Sequence, residues 1–183
     1  MKAVTKLGLF AYVLAAVVVA LDQASKFWIL HVFELPLKAS VPLAGPLHLT
    51  MVWNRGVSFG LLRADVDMTR WALAAFSVIV SVFLAVWARN STRKLSALAL
   101  GLVMGGAIGN VVDRIRFGAV ADFIDVSRLY FPWIFNVADA AITVGIALLL
   151  LDMLLLEKQG VPARAASLPA GVEPTPADKK ASP

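Results

Sequence analysis

Four aspartates lie where apolar segments of this chain meet polar ones: Asp22, Asp113, Asp122 and Asp139. A charge at the centre of a membrane helix costs about 2.5–3.5 kcal/mol on insertion scales, so acids near a bilayer are expected to be paired, water-facing or functional. Two carboxylates a few ångström apart cannot both ionise, and such a pair can activate water for peptide hydrolysis. Asp122 and Asp139 are the natural pair, because a loop that folds back could bring both to one point.

The residues that several other kinds of catalytic or metal site require are missing or are not suitably placed. The chain has no cysteine, which excludes disulfides, zinc–thiolate sites and a Cys nucleophile. Neither of the two histidines, His31 and His48, is placed as the base of a serine nucleophile, and they form no zinc-ligand motif. We therefore predict no metal site and no cofactor.

The composition is that of a membrane protein. The chain has 183 residues, of which 60% are hydrophobic and 16% charged, against roughly 45–50% and 25% in soluble domains. A spanning helix needs roughly 17–25 residues. Four stretches are candidates, the first and fourth only if polar residues near one end are tolerated: 7–30, 71–88, 95–112 and 140–156.

The first stretch has a second interpretation. Residues 1–6 are basic and residues 7–21 are apolar, a pattern that is also typical of a cleaved signal peptide. We favour a retained span, because the polar cluster at 22–26 extends the segment.

The net charge of +5 fits Lys- and Arg-rich cytoplasmic loops better than nucleic-acid binding. Four spans place both chain ends and the connection 89–94 on one side, with nine of the seventeen basic residues. The number of basic residues on each side barely decides the orientation. The basic cluster at 89–94 is the best argument that this side is cytoplasmic.

The connections between spans predict a small sheet and a tail. Residues 47–53 suit a strand, 54–56 a turn and 57–62 a second strand, and residues 119–126 are a further candidate strand. These elements would form a platform on the membrane surface. From residue 160 the chain is rich in Pro, Ala and Ser, which predicts disorder.

The polar clusters also have structural interpretations. Asp22 and Lys26 are four residues apart, so they could be an ion pair at a membrane interface in which Lys26 extends toward water. The glycines at 101, 105 and 109 favour close helix packing.

The remaining polar clusters can also be interpreted as structural. Asn110, Asp113 and Arg114 at the end of the third span require polar partners. Asn136 and Asp139 have the spacing of a capping box at a helix start, which would account for both without chemistry. Asp122 has no local capping role, and its structural interpretation is a solvated loop acid.

Five motifs, in order, resemble those of lipoprotein signal peptidase (signal peptidase II), a bacterial family of intramembrane aspartyl proteases. The resemblance covers about residues 7–156, and Val57 stands where a small residue such as Ala is expected. The motifs are Asp22-Gln-x-Ser25-Lys26, Asn54-x-Gly56-x-Ser58-Phe59-Gly60, Gly105-Gly106-Ala107-x-Gly109-Asn110-x-x-Asp113-Arg114, Val120-x-Asp122-Phe123 and Phe135-Asn136-x-Ala138-Asp139.

The resemblance implies an all-α membrane protein of four transmembrane helices, with both ends cytoplasmic and a small extracytoplasmic β-platform. Residues 1–158 would form the catalytic domain, with extracytoplasmic loops 31–67 and 113–137, and 159–183 a disordered cytoplasmic tail. The enzyme would lie in the bacterial inner membrane as a monomer in contact with lipid, with its active site towards the outer leaflet.

The resemblance also implies the reaction and its residues. The substrate is a prolipoprotein carrying a diacylglyceryl group on its lipobox Cys, and cleavage falls just before that Cys. Asp122 and Asp139 are the catalytic dyad. The supporting residues are Asp22, Lys26, Asn54, Gly56, Asn110, Asp113, Arg114 and Asn136.

Two other classes of function are open on the residues alone. A small transporter or proton channel would also keep membrane carboxylates, although usually near the middle of a span. An assembly protein would explain the glycines and the Asp–Arg pair, but not five polar clusters on one membrane face.

Overall fold

The computed structural model describes residues 3–56, 66–129 and 133–158. Its long helices are α1 (Lys6–Phe27), α2 (Val66–Ala88), α3 (Lys94–Phe117) and α4 (Val137–Lys158). One antiparallel sheet has the order β1-β2-β3-β4, formed by Ser40–Ala44, Leu47–Asn54, Val120–Asp125 and Ile134–Phe135.

All four predicted spans and the small sheet are confirmed. Within the described residues, four helical segments are long and apolar enough to cross a membrane: Lys6–Val32, Asp67–Ala88, Lys94–Phe117 and Val137–Leu156. The first includes a π-helical turn, Trp28–Val32, that continues α1.

The helix ends follow from local capping. The Thr5 hydroxyl accepts a hydrogen bond from the Gly8 N–H at 2.9 Å and begins α1. Gly118 ends α3 with a φ of +78°, a left-handed conformation that favours glycine. The loop predicted to start at residue 113 therefore starts at residue 118, and Asp113 and Arg114 are helix residues.

Helix α3 is the centre of the bundle and packs against α1, α2 and α4. The predicted role of the glycines in close packing is confirmed where α3 packs against α1. A Cβ atom on Gly101 would lie 2.8 Å from the Ala11 carbonyl oxygen, and one on Gly105 would lie 2.7 Å from the Ala15 carbonyl oxygen. Only glycine allows α3 to lie this close to α1.

The sheet lies against the end of α1. The predicted strands at 47–53 and 119–126 are confirmed as β2 and β3, which pair antiparallel. In the described residues, β2 also pairs with β1, across a turn at Gly45, where φ is +53°. The predicted strand at 57–62 and the predicted disordered tail at 159–183 lie outside the described residues.

A second, small core fixes the sheet to the membrane end of α1. Ile29 from the π-helical turn, Leu35, Leu49 from β2 and Phe123 from β3 are buried together. Phe123 directly follows Asp122, so this packing also sets the position of that aspartate.

Candidate active site

The four aspartates converge at one end of the bundle. Chain direction alternates between successive spans, so the C-terminal ends of α1 and α3 meet the N-terminal end of α4 and the strand β3. The backbone N–H of Ala138 donates to Asp22 at 3.0 Å, and the N–H of Ala121 donates to Asp113 at 3.1 Å. Asp113 and Asp139 lie near the ends of their helical segments and Asp122 lies on β3, whereas Asp22 lies nearer the middle of the segment Lys6–Val32.

Asp122 and Asp139 are connected through two asparagine side chains. The Asn136 amide donates to Asp122 Oδ1 at 2.6 Å, and the Asn110 amide donates to Asp139 Oδ1 at 2.7 Å. The two amides contact each other, since Asn136 Nδ2 also lies 3.3 Å from Asn110 Oδ1. A chain of hydrogen bonds therefore links the two carboxylates.

The predicted capping box at the start of α4 is confirmed, and it is compatible with the carboxylate pair. The Asp139 N–H donates to Asn136 Oδ1 at 2.9 Å, and the Asn136 N–H donates to Asp139 Oδ2 at 3.4 Å. Asn136 uses its oxygen for the cap and its nitrogen for Asp122. The cap therefore holds the two aspartates in a fixed relation.

Asn54 and Gly56 support Asp122 from the sheet. The Gly56 N–H donates to Asn54 Oδ1 at 2.8 Å, which leaves the Asn54 amide nitrogen to donate to Asp122 Oδ2 at 2.9 Å. Gly56 has a φ of +96°, and a Cβ atom there would collide with Leu73 of α2. Both carboxylate oxygens of Asp122 thus accept a hydrogen bond from an amide.

Two aspartates on β3 have opposite electrostatic environments. Burial raises the pKa of Asp122 from 3.8 to about 6, and the nearby Asp139 charge adds to this rise against hydrogen bonds from Asn54 and Asn136. Burial also acts to raise the pKa of Asp125, but hydrogen bonds from Ser127 and Thr50 outweigh it and lower that pKa. Asp122 is therefore the acid on this strand that can retain a proton closest to neutral pH.

The predicted Asp22–Lys26 ion pair is confirmed, with one difference. Lys26 does not extend toward water: it is 2% exposed, and its Nζ lies 2.8 Å from Asp22 Oδ2 and 2.7 Å from Asp113 Oδ2. Within the ranges that the structure describes, no group of three or more His, Asp or Glu side chains could hold a metal ion. The cation between these two carboxylates is the lysine ammonium.

Gln23 is a site residue that our sequence analysis missed. Its amide donates to Asp22 at 3.1 Å and to Asp113 at 2.9 Å, so it bridges the same two carboxylates as Lys26. Its place inside the first motif, between Asp22 and Lys26, was the available signal.

Arg114 lies at the edge of the site. Its guanidinium donates to the carbonyl oxygen of Asn110 on its own helix at 3.3 Å and interacts electrostatically with Asp139, Asp113 and Asp122. Each of the eight predicted supporting residues is thus linked by contacts to Asp122 or Asp139, either directly or through others of the eight.

Comparison with known proteins gives the family of this chain. Residues 14–155 match the sequence model of a family described as signal peptidase (SPase) II. The chain belongs to this family. A lipoprotein signal peptidase from Caulobacter vibrioides is 58% identical over 156 residues, which cover 85% of this chain and 92% of that protein. One from Beijerinckia indica is 46% identical over 144 residues, covering 78% and 86%.

Solved structures share the fold of this chain. A bacterial membrane enzyme determined by the in meso method at 2.3 Å resolution is 26% identical, with a TM-score of 0.71 over 87% of this chain and 95% of that one. A second, at 1.9 Å resolution, is also 26% identical, with a TM-score of 0.70 over 84% and 97%. The predicted family is confirmed, and with it a multi-pass membrane peptidase.

Proposed function

We propose that this signal peptidase II is a membrane-embedded aspartyl endopeptidase with Asp122 and Asp139 as its catalytic dyad. Its substrate is a diacylglyceryl-modified prolipoprotein, and it removes the signal peptide by cleaving before the lipidated Cys. The relatives are lipoprotein signal peptidases by name, and the five motifs of this chain have the order of that family.

The observation that carries the proposal is the hydrogen-bonded chain from Asp122 through Asn136 and Asn110 to Asp139. It holds two carboxylates together at the end of the spans, where burial and the nearby Asp139 charge raise the pKa of Asp122. An assembly protein has no need of two linked carboxylates, one of which has a raised pKa.

The chemistry requires one proton shared by the dyad. The ionised carboxylate takes a proton from water as the water oxygen attacks the scissile carbonyl carbon, and the protonated carboxyl hydrogen-bonds to the carbonyl oxygen. The tetrahedral intermediate then expels the amine, which receives a proton from the dyad as the C–N bond breaks. Water and this chain's own carboxylates supply every atom that the hydrolysis needs.

The membrane setting fits a lipid-anchored substrate. The outer faces of α1, α2 and α4 expose large apolar side chains, such as Val13, Phe76 and Leu150, that suit contact with acyl chains. We place the site towards the outer leaflet of the bacterial inner membrane, with both chain ends cytoplasmic. The signal peptide then enters laterally, its diacylglyceryl chains remain in lipid, and the enzyme acts as a monomer.

The experiment uses the purified full chain in detergent with a diacylglyceryl-modified prolipoprotein, and mass spectrometry follows cleavage. We expect wild type to cleave before the lipidated Cys and Asp122→Asn and Asp139→Asn each to lose at least about 1,000-fold in kcat, because each removes a carboxylate from the dyad. A chelator should leave the wild-type rate unchanged.

Matched controls separate this proposal from its rivals. Asp125→Asn makes the same chemical change three residues further along β3 and should retain activity. Ser58 lies outside the described residues but stands in a Gly-x-Ser-x-Gly sequence, which is also found in serine hydrolases. Loss of activity in Ser58→Ala together with activity in either dyad variant would overturn the aspartyl mechanism.

A further inference from the structure

Lys26 is a buried cation that the proposed chemistry does not use. Lys26, Asp22 and Asp113 are each at most 2% exposed, and the ammonium lies within 2.8 Å of an oxygen of both carboxylates. A buried ion pair that serves stability alone could be replaced by apolar side chains of similar volume with little loss. The position of this cluster suggests a more specific role.

Each carboxylate of the cluster holds the backbone directly before one member of the dyad. Asp22 Oδ1 accepts from the N–H of Ala138, and Asp139 is the next residue. Asp113 Oδ2 accepts from the N–H of Ala121, and Asp122 is the next residue. Lys26 connects two carboxylates on different helices: Asp22 on α1, which holds the backbone of α4, and Asp113 on α3, which holds the backbone of β3.

The same ammonium also reaches the amide pair of the dyad. Lys26 Nζ lies 3.4 Å from Asn110 Oδ1, the oxygen that also accepts from Asn136. This contact helps to orient the Asn110 side chain so that its nitrogen donates to Asp139. Lys26 therefore contacts three residues that support the two catalytic carboxylates: Asp22, Asp113 and Asn110.

We propose that Lys26 is a positioning residue for the dyad: its ammonium joins Asp22 and Asp113 and so fixes the backbone of Asp122 and Asp139 relative to each other. The inference rests on the proposed function, in which these two aspartates are catalytic. It assigns no contact between Lys26 and the substrate, because the Lys26 side chain is buried against Asp22 and Asp113.

The charge of Lys26 gives the role a second readout. The charged groups that face Asp122 are Asp139 on α4, Lys26 on α1 and Arg114 on α3. The Lys26 charge favours the ionised form of Asp122. Its removal should shift the acid limb of the pH–kcat profile upward, which a general loss of folded protein would not do.

The experiment measures kcat, KM and the pH–kcat profile for Lys26→Met in the detergent assay with lipidated prolipoprotein. We expect kcat to fall at least about 100-fold with KM within about 3-fold, because small displacements of catalytic groups cost rate rather than binding. Lys6→Met makes the same change at the exposed first residue of α1 and should behave as wild type. A Lys26→Met enzyme with normal kcat and an unshifted profile would overturn the inference.

A second variant covers the case in which Lys26→Met does not fold. The double variant Lys26→Met/Asp113→Asn keeps the wild-type net charge of the cluster but removes the ammonium that joins its two sides. We expect kcat to stay at least about 100-fold low. Recovery to near the wild-type kcat would show that the ammonium only balances charge, and failure of both variants to fold would assign Lys26 to folding; either result overturns the positioning role.

Wild type and Asp139→Asn are measured in the same series to separate the two proposals. If wild type cleaves and Asp139→Asn does not, the dyad stands, and normal kcat in Lys26→Met rejects only the positioning role. If wild type fails to cleave, or Asp139→Asn keeps its rate, the proposed function fails and the positioning role falls with it.

Discussion

The Asn136 side-chain amide donates a hydrogen bond of 2.6 Å to the Asp122 carboxylate. The same side chain caps α4 through its oxygen, which accepts from the N–H of Asp139. A residue whose spacing predicts a helix cap is thus also the link between the two carboxylates. Capping and site assembly are combined in one side chain because the amide presents a donor and an acceptor in opposite directions.

Asn136→Ala should therefore lose both functions. We expect the free energy of unfolding to fall by about 0.5–2 kcal/mol, as for other lost N-caps, and kcat to fall at least about 100-fold because the dyad loses its link. Thr5→Ala is the matched control, since Thr5 caps α1 at the opposite end. Thermal unfolding in detergent and kcat should separate the two variants; equal activities would contradict the linking role of Asn136.

The raised pKa of Asp122 predicts how stability changes with pH. A carboxyl whose folded pKa is raised from 3.8 to about 6 contributes stability that is present below pH 3.8 and is lost as the pH rises through about 6. Between pH 3.5 and 7, wild type should lose on the order of 3 kcal/mol relative to Asp122→Asn.

Unfolding of both proteins in detergent across this pH range measures that difference. Asp125→Asn should show the opposite trend, because the folded pKa of Asp125 is lowered and its contribution to stability is lost as the pH falls. A constant difference between wild type and Asp122→Asn from pH 3.5 to 7 would contradict the raised pKa.

Two glycines of α3 distinguish packing from site assembly. A Cβ atom on Gly109 would lie 2.6 Å from Asp22 Oδ2, whereas one on Gly101 would lie 2.8 Å from the Ala11 carbonyl oxygen, away from the site. Gly101→Ala and Gly109→Ala should each destabilise the bundle by about 1–3 kcal/mol, as overpacking does. Only Gly109→Ala should also lower kcat, by about 10-fold or more, because it displaces Asp22. Equal loss of kcat in both would show a general effect of helix packing.

The opposite end of the bundle contains a separate ion pair. Arg93 Nη2 lies 2.9 Å from Asp152 Oδ1, and the Asp152 side chain is 7% exposed. Arg93→Met should destabilise the protein by about 3–5 kcal/mol, because it leaves a buried carboxylate without its partner, and Arg93→Met/Asp152→Leu should recover most of that loss. Cleavage by the folded fraction should stay normal, since some twenty residues of α3, about 30 Å of helix, separate Arg93 from the site. A lower kcat in the double variant would contradict this independence.

Some of the site follows from the sequence because its geometry is local. Helical spacing places Lys26 one turn after Asp22, and the interval from Asn136 to Asp139 is that of a capping box; both contacts are present. The spans follow in the same way from the length of the apolar runs, since any backbone in lipid must satisfy its own hydrogen bonds.

The strand partners show where local signals end. The predicted strand at 57–62 lies outside the described residues, and in the described residues β2 pairs with Ser40–Ala44 and with β3. At Asn54 and Gly56 the backbone forms a local side-chain turn that orients an amide toward Asp122. Turn-forming residues do not specify which segment lies beside a strand.

The sequence by itself determined the four spans, the family motifs and the contacts within one helical turn. Only the tertiary structure decided that Asp113 is the second partner of Lys26, that Gln23 bridges both acids, and that Asn110 and Asn136 join the dyad. Apart from the contact of Gln23 with its neighbour Asp22, these contacts connect residues 14 to 90 positions apart. They depend on how closely α3 approaches α1 and α4, and that distance is set by glycine packing between helices, which the periodicity of any single helix does not contain.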